Sequence, residues 1–216
     1  MKTILMSDRP KWCALMMNGD KTIEVRKGTA LYKAIQKLID EYGYADIYVY
    51  CTKGKPYLGK KEIGRNFYDE PIYAYDLDYG ETFKGSGNKK FYSSVGVYSI
   101  NGKVIFKFRC YKVEEITIVA DDYWTESYVL LEDLLKDSCL SYEKLDKYLN
   151  RNFGCAIHIS DLEVFDKPKE LSEFKVYKKF VSYDYTYTHK YVEHELHPLT
   201  KAPQSWQFIE SENNND

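Results

Sequence analysis

The 216-residue chain carries 31 Lys+Arg against 33 Asp+Glu, with 44% apolar and 16% aromatic residues. That content supports a buried core and excludes a disordered chain. With no run of about 18 apolar residues, a membrane-spanning helix is excluded as well.

The net charge of −2 hides an asymmetry, since residues 1–110 hold 19 Lys+Arg against 12 Asp+Glu and residues 111–216 hold 12 against 21. A basic first half presents a field to a polyanion even when the whole chain is slightly acidic. Tyrosine is abundant, 22 residues against 10 Phe and 3 Trp. A tyrosine buries its ring and keeps a wet hydroxyl, although AT-rich coding bias is the plainer explanation. The opening apolar patch, broken by Ser7, Asp8 and Arg9, is too short for a signal peptide. Cysteines 13, 51, 110, 139 and 155 are widely spaced and odd in number, which predicts reduced thiols in a cytoplasm. Neither a metal site nor a cofactor is expected; His194 and His197 sit just ahead of Pro198 and read as a solvated loop.

In chain order, residues 2–7 read as a buried strand. A short helix begins at Pro10 with Asp8 ahead as a cap, carries Trp12, Leu15 and Met16 on one stripe, and ends at Asn18-Gly19. Next comes "GDKTIEVRK". A strand from Lys21 to Lys27 puts Thr22, Glu24 and Arg26 on one face and Lys21, Ile23, Val25 and Lys27 on the other. Its charges are either a surface ion network or a convergent acid–base group at a pocket.

Residues 30–42 form an amphipathic helix closed by Gly43, and 46–51 a strand with Ile47 and Val49 opposite Tyr48 and Tyr50. The glycine-rich stretch 53–93 reads as an inserted long loop or loose hairpin. Asn101-Gly102 between two β-rich runs is a hairpin signal. A strand follows at 113–119, then helices at 123–136 and 141–150, the second capped by Ser141. Two strands flank Ser160-Asp161, residues 175–200 are a polar aromatic insertion, and PQSWQFIE closes as a strand ahead of a disordered tail at 211–216. Mostly strands with helices inserted at two places, the order fits an α+β small mixed β-barrel with flanking helices.

"SDRPKWCALMMNGDKTIEVRK" resembles the opening of ASCH domains, whose G-x-K-x-x-E-x-R signature is filled here by Gly19, Lys21, Glu24 and Arg26. "CAIHISDLEVFDKPKELSEF" and "APQSWQFIE" are similar to the C-terminal part of bacterial and phage-encoded members. The resemblance covers roughly 2–51, 103–174 and 202–210, with insertions at about 54–101 and 175–200. It implies a single PUA-like domain over 1–210, a cleft holding the motif, and a link to RNA or nucleotides. Family activities are RNA binding, ribonuclease activity and amide hydrolysis of N4-acetylcytidine. Hydrolase members carry Thr where this chain has Glu24, so a Thr-based acyl mechanism does not carry over.

The expected site is therefore Lys21, Glu24 and Arg26, with Lys21 and Glu24 as the catalytic pair if the chain is an enzyme. Ser7 is a candidate hydroxyl, Tyr50 borders the cleft, Lys53 is a phosphate contact, and Trp206 is either a base-stacking ring or core. Trp12 and His158 read as core. Neither Lys21 nor Arg26 is expected in the core. An RNA- or nucleotide-binding module is the first reading. A hydrolase on RNA or a modified nucleoside using the same cleft is the second, and a phage-type protein-interaction factor the third.

Overall fold

Strand β1 (Lys2–Asp8) is the spine of the larger sheet, buried from Thr3 onward. It pairs in parallel with β3 (Ala45–Cys51) and antiparallel with β15 (Trp206–Glu210). The computed structural model describes residues 2–78, 82–84, 90–92, 100–119, 122–125, 131–184 and 189–210. Between β1 and β3 run α1 (Pro10–Met17), β2 (Ile23–Lys27) and α2 (Thr29–Tyr42). Pro10 opens α1 where its missing N–H costs nothing. Arg9, and not Asp8, is the N-cap residue of α1; Asp8 is still in β1, and its Oδ1 accepts the Arg9 N–H at 2.8 Å. Leu31, Ile35 and Leu38 are the buried stripe of α2, and Gly43, at φ +81, takes the left-handed turn that ends it.

The remaining elements are β4 (Tyr57–Arg65), β5 (Pro71–Asp78), β6 (Thr82–Lys84), β7 (Lys90–Tyr92), β8 (Val104–Cys110), β9 (Val113–Val119), β10 (Asp122–Thr125), α3 (Leu131–Ser138), α4 (Tyr142–Leu149), β11 (Gly154–His158), β12 (Ser160–Lys169), β13 (Lys175–Asp184) and β14 (His189–Pro198). Seven strands make the larger sheet in the order β12-β8-β3-β1-β15-β13-β14, and four the smaller, β10-β9-β11-β2. The described residues are thus strand-rich with four helices, and their strands form these two sheets and two two-stranded sheets, β4-β5 and β6-β7, with no closed barrel among them. The chain leaves one sheet for the other at Tyr111-Lys112 and again at Ile159.

Each face of the smaller sheet meets a different core. Ile23, Val25 and Ala156 join Leu134, Leu145 and Leu149 of α3 and α4. Cys155 and Ile157, on the other face, join Ile4, Met6, Ile47 and the helices α1 and α2. The opposite face of the larger sheet packs Leu5, Tyr50 and Val104 under Phe174 and Leu199.

Three sequence expectations change. The helix expected at 123–136 starts as β10, since Tyr123, Trp124 and Thr125 favour a strand and pair with β9; the helix begins at Leu131. Within the 175–200 insertion, β13 and β14 pair antiparallel and extend the larger sheet. Asn101-Gly102 is a turn into β8, yet β8 pairs with β3 and β12; the expected partner run at 95–100 lies, but for Ile100, outside the described residues, as does the tail at 211–216. The hairpin reading of 53–93 holds for β4–β5. Asn18 at the end of α1 anchors that hairpin, exchanging two 2.9 Å bonds with the Tyr75 backbone. All five cysteines are free. No helix of the described residues is long and apolar enough to cross a membrane.

Candidate functional site

Pairing of β2 with β11 places Glu24 opposite Ile157 and Arg26 opposite Cys155. Both charged side chains therefore share the face that looks into the first core. Lys21 precedes the strand, and the turn brings it back onto the same group. Its Nζ lies 3.2 Å from Glu24 Oε2 and donates to the Ser138 carbonyl at 2.7 Å. Arg26 Nε lies 2.8 Å from Glu24 Oε1, Arg26 Nη2 lies 3.1 Å from Asp8 Oδ2, and Arg26 Nη2 donates to the Ser7 carbonyl at 2.9 Å.

This is an enclosed cluster. Lys21 is 2% exposed, Glu24 5% and Asp8 6%, so the expectation that Lys21 stays out of the core is overturned. Burial is the largest influence on Asp8; with the Glu24 carboxylate beside it, burial outweighs Arg26 and Lys21 and pushes the Asp8 carboxyl up to about 7. Desolvation works against the Arg26 charge, but Glu24 and Asp8 more than compensate and hold its pKa above the ordinary value. The Arg26–Glu24 contact is short, yet the Nε–H does not point at the oxygen. Neither Arg26 Nε nor Asp8 Oδ2 completes a hydrogen bond. Tyr148 of α4 stands near the Arg26 end; desolvation raises its phenol pKa and Arg26 opposes the rise. Cys155, beside Arg26, is pushed up to about 12 by burial and is held as a thiol, not a nucleophilic thiolate.

Next to the cluster lies an open cleft of about 430 Å³ lined by Arg9, Lys11, Trp12, Lys53 and Lys55, with Thr52 and two prolines. Arg9, Lys11, Lys53 and Lys55 are exposed, and among the described residues no carboxylate lines the cleft. Trp12 is its wall and its link to the cluster: Lys11 Nζ lies 5.2 Å and Lys21 Nζ 5.0 Å from the ring centroid. The parallel pairing of β1 and β3 puts both carboxyl ends at one sheet edge, and the Thr52 N–H donates to the Asp8 carbonyl at 2.8 Å. The segments Arg9-Pro10-Lys11 and Lys53-Gly54-Lys55 leave those ends side by side. Sequence periodicity singles out none of Arg9, Lys11 and Lys55 and puts Trp12 in the core; the ring does pack against the first core, and it also lines the cleft. The signal was there, a cation-x-cation triplet just after each of two strands, but it needs the parallel pairing to acquire meaning.

Other expected site residues are dispersed. The Ser7 hydroxyl points away from the cluster and donates to the Pro203 carbonyl at 2.7 Å. Tyr50, 4% exposed, is in the core on the opposite sheet face and does not border the cleft. Trp206 lines a separate groove with α2. His158 is half-buried and sits 2.6 Å from Glu114 Oε2; burial raises the Glu114 pKa, but bonds from His158 and Lys112 win and lower it.

No family model matches this chain, and no curated protein does. Among solved structures, the N-terminal domain of Staphylothermus marinus McrB is similar at a TM-score of 0.37 and 10% identity, over 79% of this chain and 77% of that one.

Proposed function

We propose that the chain is a PUA-like, ASCH-type binding module for single-stranded RNA or a nucleotide-like ligand, whose phosphates enter the cleft of Arg9, Lys11, Lys53 and Lys55. The observation that carries this is the convergence of four exposed cations around the half-buried ring of Trp12. Cations position a phosphate backbone, and an indole face accepts a base by stacking. The buried cluster then serves as a scaffold: Lys21 and Glu24 hold the inner side of Trp12, and Asp8 fixes the backbone of Arg9. In this reading the signature residues act through what they position.

The test is fluorescence-anisotropy titration of a labelled single-stranded RNA with Lys11→Ala, Lys53→Ala and Trp12→Ala variants, each checked for fold by circular dichroism. Each cation removed should weaken binding several-fold at low salt. Unchanged affinity in folded Lys11→Ala and Lys53→Ala proteins would sink the proposal.

A hydrolytic reading has one observation in its favour. A carboxyl titrating at about 7 beside Glu24 is suited to passing a proton. It competes poorly, because Asp8 and Glu24 are buried and burial pushes the neighbouring Cys155 thiol up, away from a nucleophilic thiolate. Release of product from RNA or from an acylated nucleoside, abolished in Asp8→Asn, would establish it.

A further inference from the structure

A second surface is prepared for flat, anionic ligands. The helix α2 covers only part of the larger sheet, and β15 and β13 continue beyond it. On β15, Ile209 faces the third core, while Trp206 and Phe208 alternate to the other side. Phe208 is 39% and Tyr177 of β13 52% exposed. Trp206 and Phe208 meet edge-to-face at 5.6 Å. A furrow of about 520 Å³ separates β15 from α2, because the helix presents Ala30 and Ala34 there. It runs on, through the shared Lys2 and Phe208, into a hollow of about 440 Å³ over β13. Lysines rim the whole track: Lys33 and Lys37 on α2, Lys2 at the join with its Nζ 5.9 Å from the Phe208 ring centroid, and Lys179 beyond. Among the described lining residues, Glu41 and Glu210 stand against these four cations.

We infer that this aromatic track is a stacking platform for bases of single-stranded nucleic acid, with the lysine rim following its backbone. Exposed rings bordered by lysines suit a strand of bases, since every base offers a π-face and every linkage a negative charge. A second copy of this chain fits less well, because it would place like-charged lysine rims together. The inference rests on reading the chain as a nucleic-acid binder, and it extends the footprint beyond the Trp12 cleft.

The experiment compares a short and a long oligouridylate, by anisotropy, on wild-type protein, Phe208→Ala/Tyr177→Ala and Lys11→Ala/Lys53→Ala. Both aromatic side chains are substantially exposed, so the first variant keeps the core; circular dichroism and sedimentation velocity verify fold and oligomeric state. For the long oligomer, the aromatic variant should lose about tenfold in affinity per ring. An unchanged long-oligomer affinity in that variant, with loss in Lys11→Ala/Lys53→Ala, overturns the platform and leaves the cleft. Loss in the aromatic variant with an unaffected cleft variant supports the platform and overturns the cleft. A wild-type dimer that Phe208→Ala/Tyr177→Ala dissociates assigns the face to a second copy and overturns the inference. Failure of wild type to bind either oligomer at low salt removes both.

Discussion

Glu24 sits between two cations in a setting where water does little to replace a lost partner. Exposed pairs contribute roughly 0–1 kcal/mol, but removing one member of a buried set leaves an unpaired charge and costs about 3–5 kcal/mol. Glu24→Ala should therefore destabilise the fold by that larger amount, read as a fall in the urea midpoint, because buried Lys21 loses its carboxylate and Arg26 keeps only Asp8. A loss within experimental error of zero would show that the cluster is solvated in solution. Asp8 gives a second residue-scale expectation. A carboxyl whose folded pKa lies above its ordinary value binds its proton more tightly in the folded state. Its stabilising contribution is full below 3.8 and is lost as pH rises through about 7. Glu114 has the opposite sign: its lowered pKa gives stability that is present above 4.5 and lost in acid. Between about pH 5 and pH 8 the Asp8 effect should therefore dominate, with the urea midpoint falling as pH rises in wild type and flattening in Asp8→Asn. Equal slopes in the two proteins would assign the pH dependence to another group.

At the scale of elements, the turn at Asn101 decides how well the cleft is held. Its side-chain Oδ1 accepts the Leu58 N–H at 2.8 Å, and its Nδ2 donates to the carbonyls of Gly54 and Pro56 at 2.6 and 3.0 Å. Those bonds brace the segment that carries Lys53 and Lys55. A Cβ on Gly102, where φ is +83, would press on the Lys53 stem at 3.0 Å. Asn101→Ala should cost about 1–3 kcal/mol in stability and weaken RNA binding although Asn101 does not line the cleft. A variant that loses stability but binds RNA like wild type would separate the turn from the site. Gly154 marks a tighter joint. A Cβ there meets Leu149 Cδ2 at 2.8 Å and the Arg26 carbonyl at 2.9 Å, and backbone cannot yield as a side-chain tip can. Gly154→Ala should lower stability by about 1–3 kcal/mol, as overpacking does, measurable in the same urea titration.

These elements show what could be read in advance. The amphipathic α2, its Gly43 stop, β1, β3 and the shared face of Glu24 and Arg26 follow from local periodicity, whereas period 2 puts Lys21 on the opposite face and only the G-x-K-x-x-E-x-R resemblance groups it with them. Asp8 was read as a helix cap because local rules favour a cap before Pro10; only the long-range approach of β2 makes it a partner of Arg26. The two cation triplets, likewise, become one cleft only through the parallel β1–β3 pairing. The residues 123–125 show the reverse: a helical period was read where the β-favouring side chains and the β9 partner prevail.

Across the whole molecule, the uneven distribution of charge should govern how nucleic acid is met. All four cleft cations and all four platform lysines except Lys179 come from the basic first half. The acidic second half repels phosphate elsewhere, so binding should stay confined to these two surfaces. Each phosphate neutralised on a single strand contributes about −0.7 to the slope of log K against log salt. A short oligomer that reaches only the four cleft cations should thus show a slope of no more than about −3. A longer one engaging the four platform lysines as well should approach about −6. Anisotropy titrations of both oligomers over a range of salt concentrations measure the difference directly. A common slope for the two lengths would confine the footprint to one surface, and a slope near zero would mean that phosphate contacts do not drive the association.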